Sequence, residues 1–207
     1  MQAIIFDMDG VLVDSMPVHM KIWKSIFDKR NLSFNKEEFK KYNGTSSKQI
    51  AMRLIGDFGL QDTPENIISE KIAYEAQYQD DIRLFPRVKF VLSRLQKRYR
   101  LALATSARKE MLEYIDSRFN LLSFFDAAVH SEMVQNSKPA PDLFMRAAED
   151  IGIDYSQCMV VEDSVNGIIA ARKAGMQAIA ITNTFPSDSF HMADNIIHVL
   201  SELESIE

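Results

Sequence analysis

The chain has 207 residues, 46% of them hydrophobic and 26% charged, which is enough to bury a substantial core in one large domain or in a domain carrying an insertion. Its formal charge of −5 leaves no basic excess for a general nucleic-acid binder, and no apolar stretch approaches the length of a membrane span. The single cysteine, Cys158, has no partner for an internal disulfide and reads as a core thiol within CMVVE; with no basic-then-apolar leader pattern ahead of Asp7, the expectation is a cytoplasmic protein.

The first predicted element is the strand AIIF, residues 3–6 of the stretch QAIIFDMDGVLVDS. It runs out into Asp7 and Asp9, followed by Gly10. Residues i and i+2 of an extended chain point the same way, with Cα atoms about 6–7 Å apart. Two like charges aimed at one point cost free energy unless a cation, or a proton on one of them, offsets the repulsion.

Residues 16–81 contain no convincing strand run but several helical ones. PVHMKIWKSIFDKR spaces Ile22, Ile26 and Phe27 as one helix face, with Pro17 in the first turn, where its missing N–H does no harm. SSKQIAMRLIGDFG and ENIISEKIAYEAQYQ continue the pattern. A simple crossover needs far fewer residues. The interval therefore predicts a helical cap domain, residues 16–81, hinged near 13–16 and 80–86.

Beyond it, strand alternates with helix. The predicted strands are LALAT (101–105), DAAVH (126–130), CMVV (158–161) and QAIAI (177–181), with helices at 86–98, 108–118, 141–152 and 164–174. The strand runs are almost wholly apolar, as strands buried on both faces must be. The fold class is α/β: a Rossmann-like doubly wound parallel sheet built from residues 1–15 and 82–207, with the cap inserted after the first strand.

Open α/β sheets bind ligands beyond the carboxyl ends of their strands. At those ends stand Asp7 and Asp9, then Thr105 and Ser106, then Glu162 and Asp163. NSKPAPD adds Lys138 in a segment stiffened by Pro139 and Pro141. Each has a plain structural reading taken singly; Asp163-Ser164, for example, suits the cap of the following helix. All of them at one sheet edge point to a site.

Asp7 and Asp163 offer the hard oxygen ligands that Mg²⁺ prefers, and the metal makes the close aspartates tolerable. A hydroxyl, a lysine and loop N–H groups can hold phosphate oxygens. Asp7 then suits a nucleophile that forms an aspartyl-phosphate. Asp9 is within reach to protonate the leaving oxygen and later to deprotonate the attacking water. The two need different protonation states, so their environments are expected to push their pKa values apart.

These residues form an ordered set. FDMDGVLVDS resembles the first motif of the haloacid dehalogenase-like superfamily, and LALATS, SKPAPD and VVEDSVNGIIAARKAGM resemble its second, third and fourth. The resemblance spans the whole chain, with the helical insertion where that superfamily carries a small C1-type cap. It implies Asp7 as nucleophile and Asp9 as general acid/base whose backbone carbonyl also ligates Mg²⁺. It further implies Thr105 and Lys138 as phosphoryl-binding residues and Asp163 as a metal ligand, with Glu162 reaching the metal directly or through water. Dehalogenase members lack the second aspartate, so Asp9 favours phosphoryl transfer.

Within the superfamily the chain resembles β-phosphoglucomutase-like proteins and sugar-phosphate phosphatases. Ser15, His19 and Trp23 follow the mutase spacing, in which a histidine like His19 helps control when the general acid engages. Departures point the other way. Ser47, with Lys48 beside it, stands where a mutase arginine grips the substrate's second phosphate. After Thr105, where the mutases use a serine and a lysine, stand Ala107 and Arg108. In FPRV an arginine replaces a glycine common after that proline. A positive charge for a second phosphate survives only through Lys48, Arg108 or Lys71, so hydrolysis is favoured over a mutase reaction.

The expected partner is a small phosphate ester such as a sugar phosphate, gripped by Ser106, His19, Ser47, Lys48 and Arg108 under a cap loop at Gly44-Thr45-Ser46-Ser47. The expected assembly is a monomer or weak dimer, without nucleic acid or membrane. A remote alternative is a phosphate-receiver signalling domain, although receivers are shorter and put the phosphoacceptor on a later strand. Within the fourth motif, Gly167 permits close backbone approach, Gly175 suits a helix terminus, and Ile168, Ala171 and Ala174 form a packing face.

Overall fold

A computed structural model describes residues 1–35, 39 and 45–205; Gly44 of the expected cap loop lies outside them. Strand β1 (Ala3–Phe6) lies in the middle of a parallel sheet, as its fully apolar, fully buried sequence requires. A short pair, β2 (Val13–Asp14) and β3 (Arg83–Leu84), runs antiparallel at the two expected hinges. The chain thus leaves and re-enters the sheet domain through one two-stranded ribbon, which the sequence did not announce.

On one side β1 pairs with β4 (Arg100–Ala104), which in turn pairs with β5 (Ala127–Val129). On the other it pairs with β6 (Cys158–Glu162), followed by β7 (Gln177–Ile181) and β8 (Asn195–Ile197). The order β5-β4-β1-β6-β7-β8 is that of a doubly wound sheet. The three-residue β8 was not expected, because NII is too short to stand out before the sheet supplies a neighbour.

Helices cover both faces. Ile4 and Phe6 point to a layer holding α4 (Val88–Leu95) and α5 (Lys109–Phe119), through residues such as Val91, Leu92 and Leu112. Ala3 and Ile5 point to the opposite layer of α6 (Asp142–Ile151) and α7 (Val165–Lys173), through Phe144, Ala147, Ile168 and Ala171. Each fully buried Leu, Ile or Phe in these layers contributes about 1.5–3 kcal/mol. Cys158 is buried as expected, and burial pushes its thiol up to about 11, which leaves it inert at neutral pH.

The insertion is helical in its described residues: α1 (Met16–Lys29), α2 (Ser47–Phe58) and α3 (Pro64–Tyr78). Helix α3 lies against both others. The expected face Ile22, Ile26 and Phe27 is buried with Trp23, and Phe27 meets the rings of Phe34, Phe39 and Phe58 edge-on at 5.2–6.1 Å. At the far end Arg30 ties α1 to Asp62 and Glu70, across the turn into α3.

Candidate active site

The registers Phe6↔Leu103 and Phe6↔Val161 bring the carboxyl ends of three strands side by side. Asp7, 6% exposed, continues the ladder by donating its backbone N–H to Val161 O at 3.0 Å. Lys138, 1% exposed, reaches this point from the segment before α6. Its Nζ donates to Asp7 Oδ1 at 2.7 Å and to Glu162 Oε1 at 2.7 Å, and lies 4.6 Å above the Phe144 ring. The other Glu162 oxygen accepts from Ser164 N–H at 2.7 Å and Ser164 Oγ at 2.8 Å. Ser164 in turn caps α7, accepting from Gly167 N–H at 3.0 Å.

Two glycines make room for the acids. A Cβ on Gly167 would lie 1.9 Å from Glu162 Cδ, so this residue does allow the close approach expected of it. A Cβ on Gly10, whose φ is +80°, would lie 1.8 Å from Asp163 Oδ2. Two further residues brace the site from the end of β7. Asn183 Nδ2 donates to Gly10 O at 2.7 Å, and the Thr184 hydroxyl donates to Asp163 Oδ2. The sequence reading missed both, although the strand-end rule, extended to β7, points at them.

Donor oxygens of Asp7, Glu162 and Asp163 lie within 4.8 Å of one another, all three residues buried. Among the described residues, Lys138 is the one cation paired with this cluster, through Asp7 and Glu162. Burial, followed by the repulsion of the neighbouring carboxylates, outweighs Lys138 and pushes Asp7 up to about 7. The same causes push Asp163 well above the carboxylate range. Such a deficit of positive charge among hard oxygen donors fits Mg²⁺. Asp7 Oδ2 and Asp163 Oδ1 accept no hydrogen bond among the described residues, whereas both Glu162 oxygens are taken by Lys138 and Ser164.

Asp9 is held differently. Its Oδ1 accepts from Ser15 Oγ at 2.5 Å and lies 3.4 Å from His19 Nε2. Ser15 begins α1 but does not cap it; the side chain is committed to Asp9 and bolts the first turn of the helix to the Asp7–Asp9 loop. Burial works to raise the Asp9 pKa, but His19, Ser15 and Lys71 together bring it below the ordinary value. The two aspartates are thus pushed apart as expected, but in the opposite sense from the expected roles: Asp7 retains its proton more readily. The physical reason is that Asp9 has anion-stabilising donors, while Asp7 sits among uncompensated carboxylates.

Thr105 Oγ1 accepts from Ala107 N–H at 3.0 Å and shapes the turn after β4. The adjacent Ser106 hydroxyl is buried without a hydrogen-bond partner among the described residues, and Ser106 lines a cavity together with Asp7. That cavity is walled by Asp7, Asp9, Lys138 and Asp163 together with Met16, Trp23 and Ile50. Of the expected cap residues, Ser47 lines it, while Lys48 is exposed and does not.

The cavity wall also carries Lys71 and Arg108, both named above as cations for a second phosphate, joined by Glu75, which the sequence did not single out. Lys71 and Glu75, one turn apart on α3, are both buried and paired. The second Glu75 oxygen accepts from Arg108 Nη2 at 3.0 Å, joining α3 to the loop after β4. Burial opposes ionisation of Glu75, but Lys71, His19 and Arg108 hold its carboxyl below the usual range.

The family model described as "Haloacid dehalogenase-like hydrolase" matches residues 4–181. The chain is 32% identical to the Escherichia coli "Fructose-1-phosphate phosphatase YqaB", over 86% of this chain and 95% of that protein. It is 26% identical to the "Beta-phosphoglucomutase" of Bacillus subtilis, over 97% and 93% of the two chains. Its fold superposes on a hydrolase from Pseudomonas syringae with a TM-score of 0.89 at 22% identity, covering 99% and 97% of the two chains.

Proposed function

From its membership of the haloacid dehalogenase-like hydrolase family, to which the chain belongs, we propose a Mg²⁺-dependent phosphatase that cleaves a small phosphorylated metabolite, a sugar phosphate, through an aspartyl-phosphate. One observation carries this reading: Asp7, Asp9, Lys138 and Asp163 converge on a single cavity with the unpartnered Ser106 hydroxyl. A phosphoryl group needs a nucleophile, an acid, a cation and spare donors within one enclosure.

An Asp7 carboxylate oxygen attacks phosphorus while the ester P–O bond breaks, and the proton of Asp9 goes to the departing sugar oxygen. Asp9 then removes a proton from water, the hydroxide attacks the same phosphorus, and the Asp7–phosphorus bond breaks to give inorganic phosphate. Asp7 is regenerated ionised and Asp9 protonated. Lys138 Nζ, 2.7 Å from Asp7, holds the attacking carboxylate and partly neutralises the transferring oxygens. Ser106 supplies a hydroxyl donor to them. His19 sets the proton affinity of Asp9, and loss of that contact favours the acid form.

Asp7, Asp163 and the Asp9 backbone carbonyl would hold Mg²⁺, whose charge permits an ionised Asp7 and offsets phosphoryl negative charge when bound. The name of the fructose 1-phosphate relative supports a sugar phosphate as substrate. A mutase must also grip a second phosphate; Lys48 lies outside the cavity and Arg108 is already bound to Glu75, which favours hydrolysis.

The test is phosphorus NMR of fructose 1-phosphate and β-glucose 1-phosphate with the enzyme and Mg²⁺. Growth of inorganic phosphate, absent with correctly folded Asp7→Asn, is the expected result. Conversion of β-glucose 1-phosphate to glucose 6-phosphate without free phosphate would overturn hydrolysis in favour of a mutase. Turnover by folded Asp7→Asn would remove the nucleophile assignment.

A further inference from the structure

Two cations that line the cavity, Lys71 and Arg108, are both bound to one carboxylate, Glu75, which lines it too and is 4% exposed. Arg108 is shared again with the exposed Glu110 at 2.9 Å. Among the described residues, this part of the cavity wall therefore offers little uncommitted positive charge. A carboxylate has about four lone-pair sites, and Lys71 and Arg108 occupy two of those on Glu75. The others can accept hydroxyl protons. We propose that Glu75 is a specificity-determining residue that accepts sugar hydroxyls at the cavity wall and rejects a second phosphate there. This inference rests on the phosphatase reading and narrows its substrates to polyhydroxylated monophosphates.

The physical basis is the position of a fixed charge in an enclosed site. A substrate's second phosphate would bring a charge of about −1.5 to −2 against a buried carboxylate. Like charges brought together at a desolvated contact disfavour binding strongly. Hydroxyls meet no such penalty, since they donate to Glu75 and accept from Lys71 or Arg108. Glu75 also links the inserted helices to the sheet domain, so an anion that displaced it would break the contact between α3 and the loop after β4.

The experiment compares fructose 1-phosphate with fructose 1,6-bisphosphate, which differ by one phosphate, as the ratio of kcat/KM in the wild type, Glu75→Gln and Glu75→Asp. The wild type should favour the monophosphate by about 100-fold, and Glu75→Gln should narrow that ratio about tenfold. Glu75→Asp, which keeps the charge, should retain most of the discrimination. Equal use of the two sugars by the wild type, or an unchanged ratio in Glu75→Gln, overturns the proposal. If Glu75→Gln does not fold, Arg108→Gln carries the test: with one cation removed from Glu75, the ratio should widen, and an unchanged ratio is again decisive against it.

Absence of phosphate release from either sugar would count against the phosphatase reading instead. The inference is then read from calorimetric binding of the two sugars to Asp7→Asn, with and without Glu75→Gln. The monophosphate should bind more tightly, and the difference should shrink when Glu75 is neutralised; no difference overturns the proposal.

Discussion

At the scale of single residues, the site stores an electrostatic cost that has a measurable sign. Asp7 is held up to about 7 against an ordinary 3.8. Between those values the folded protein keeps a proton that the unfolded chain has released. This group's contribution to stability therefore falls as pH rises from about 4 to 7 and is level above. Metal-free Asp7→Asn should exceed the metal-free wild type in stability by about 2–4 kcal/mol at pH 8. The gap should close toward pH 4, as urea denaturation at several pH values will register. An equal gap at both ends would contradict the burial account. Gly167 supplies the opposite lesson, because a missing side chain is what counts there. Gly167→Ala would drive a methyl group into the Glu162 carboxylate, so it should lower kcat sharply and cost about 1–3 kcal/mol in thermal unfolding.

At the scale of elements, α7 and the acidic cluster share a single hydroxyl. Ser164 caps the helix and holds Glu162, which in turn holds Lys138. Ser164→Ala should cost about 2–3 kcal/mol, the cap together with a bond to a charged group, and should weaken turnover more than a surface cap would. Intact activity with unchanged stability would contradict this coupling. The start of α4 illustrates a different compromise. Arg87 has φ +63°, a left-handed conformation that suits the glycine expected at that place. In exchange its guanidinium lies 4.7 Å from the Phe90 ring centroid. Arg87→Gly should relieve the backbone and lose the ring contact, for a net change within about 1 kcal/mol on the stabilising side. A clear destabilisation in chemical denaturation would show that the ring contact dominates.

At the scale of the whole molecule, the site is assembled from segments far apart in sequence. Lys138 and Asp7, 2.7 Å apart, meet across the sheet, and Asn183 reaches back to Gly10. A dication bound among these segments favours the folded state, because the unfolded chain has no such cluster. Mg²⁺ at 100 times its Kd should add about 2.7 kcal/mol, seen as a Tm that rises with Mg²⁺ and falls back on chelation. Asp163→Asn should abolish most of that rise. A Tm indifferent to Mg²⁺ in the wild type would remove the proposed metal site.

The apolar runs determined β1, β4, β6 and β7, because strands buried on both faces leave no other composition open to them. The DMDG, SKPAPD and VVEDS stretches likewise marked Asp7, Asp9, Lys138 and Asp163, since each has a plain structural reading alone but not all of them at one sheet edge. Other features are pairings between distant segments. The β2–β3 ribbon is two residues on each strand, too short for a periodic signal, and exists because the ends of the insertion meet. Glu75 was legible only as an i,i+4 partner of Lys71 on an ordinary helix. Its contact with Arg108, and its place in the same cavity as Asp7, follow from tertiary packing. Sequence patterning records what each segment must bury or expose; which charges then meet inside a cavity is fixed by distances that only the folded chain defines.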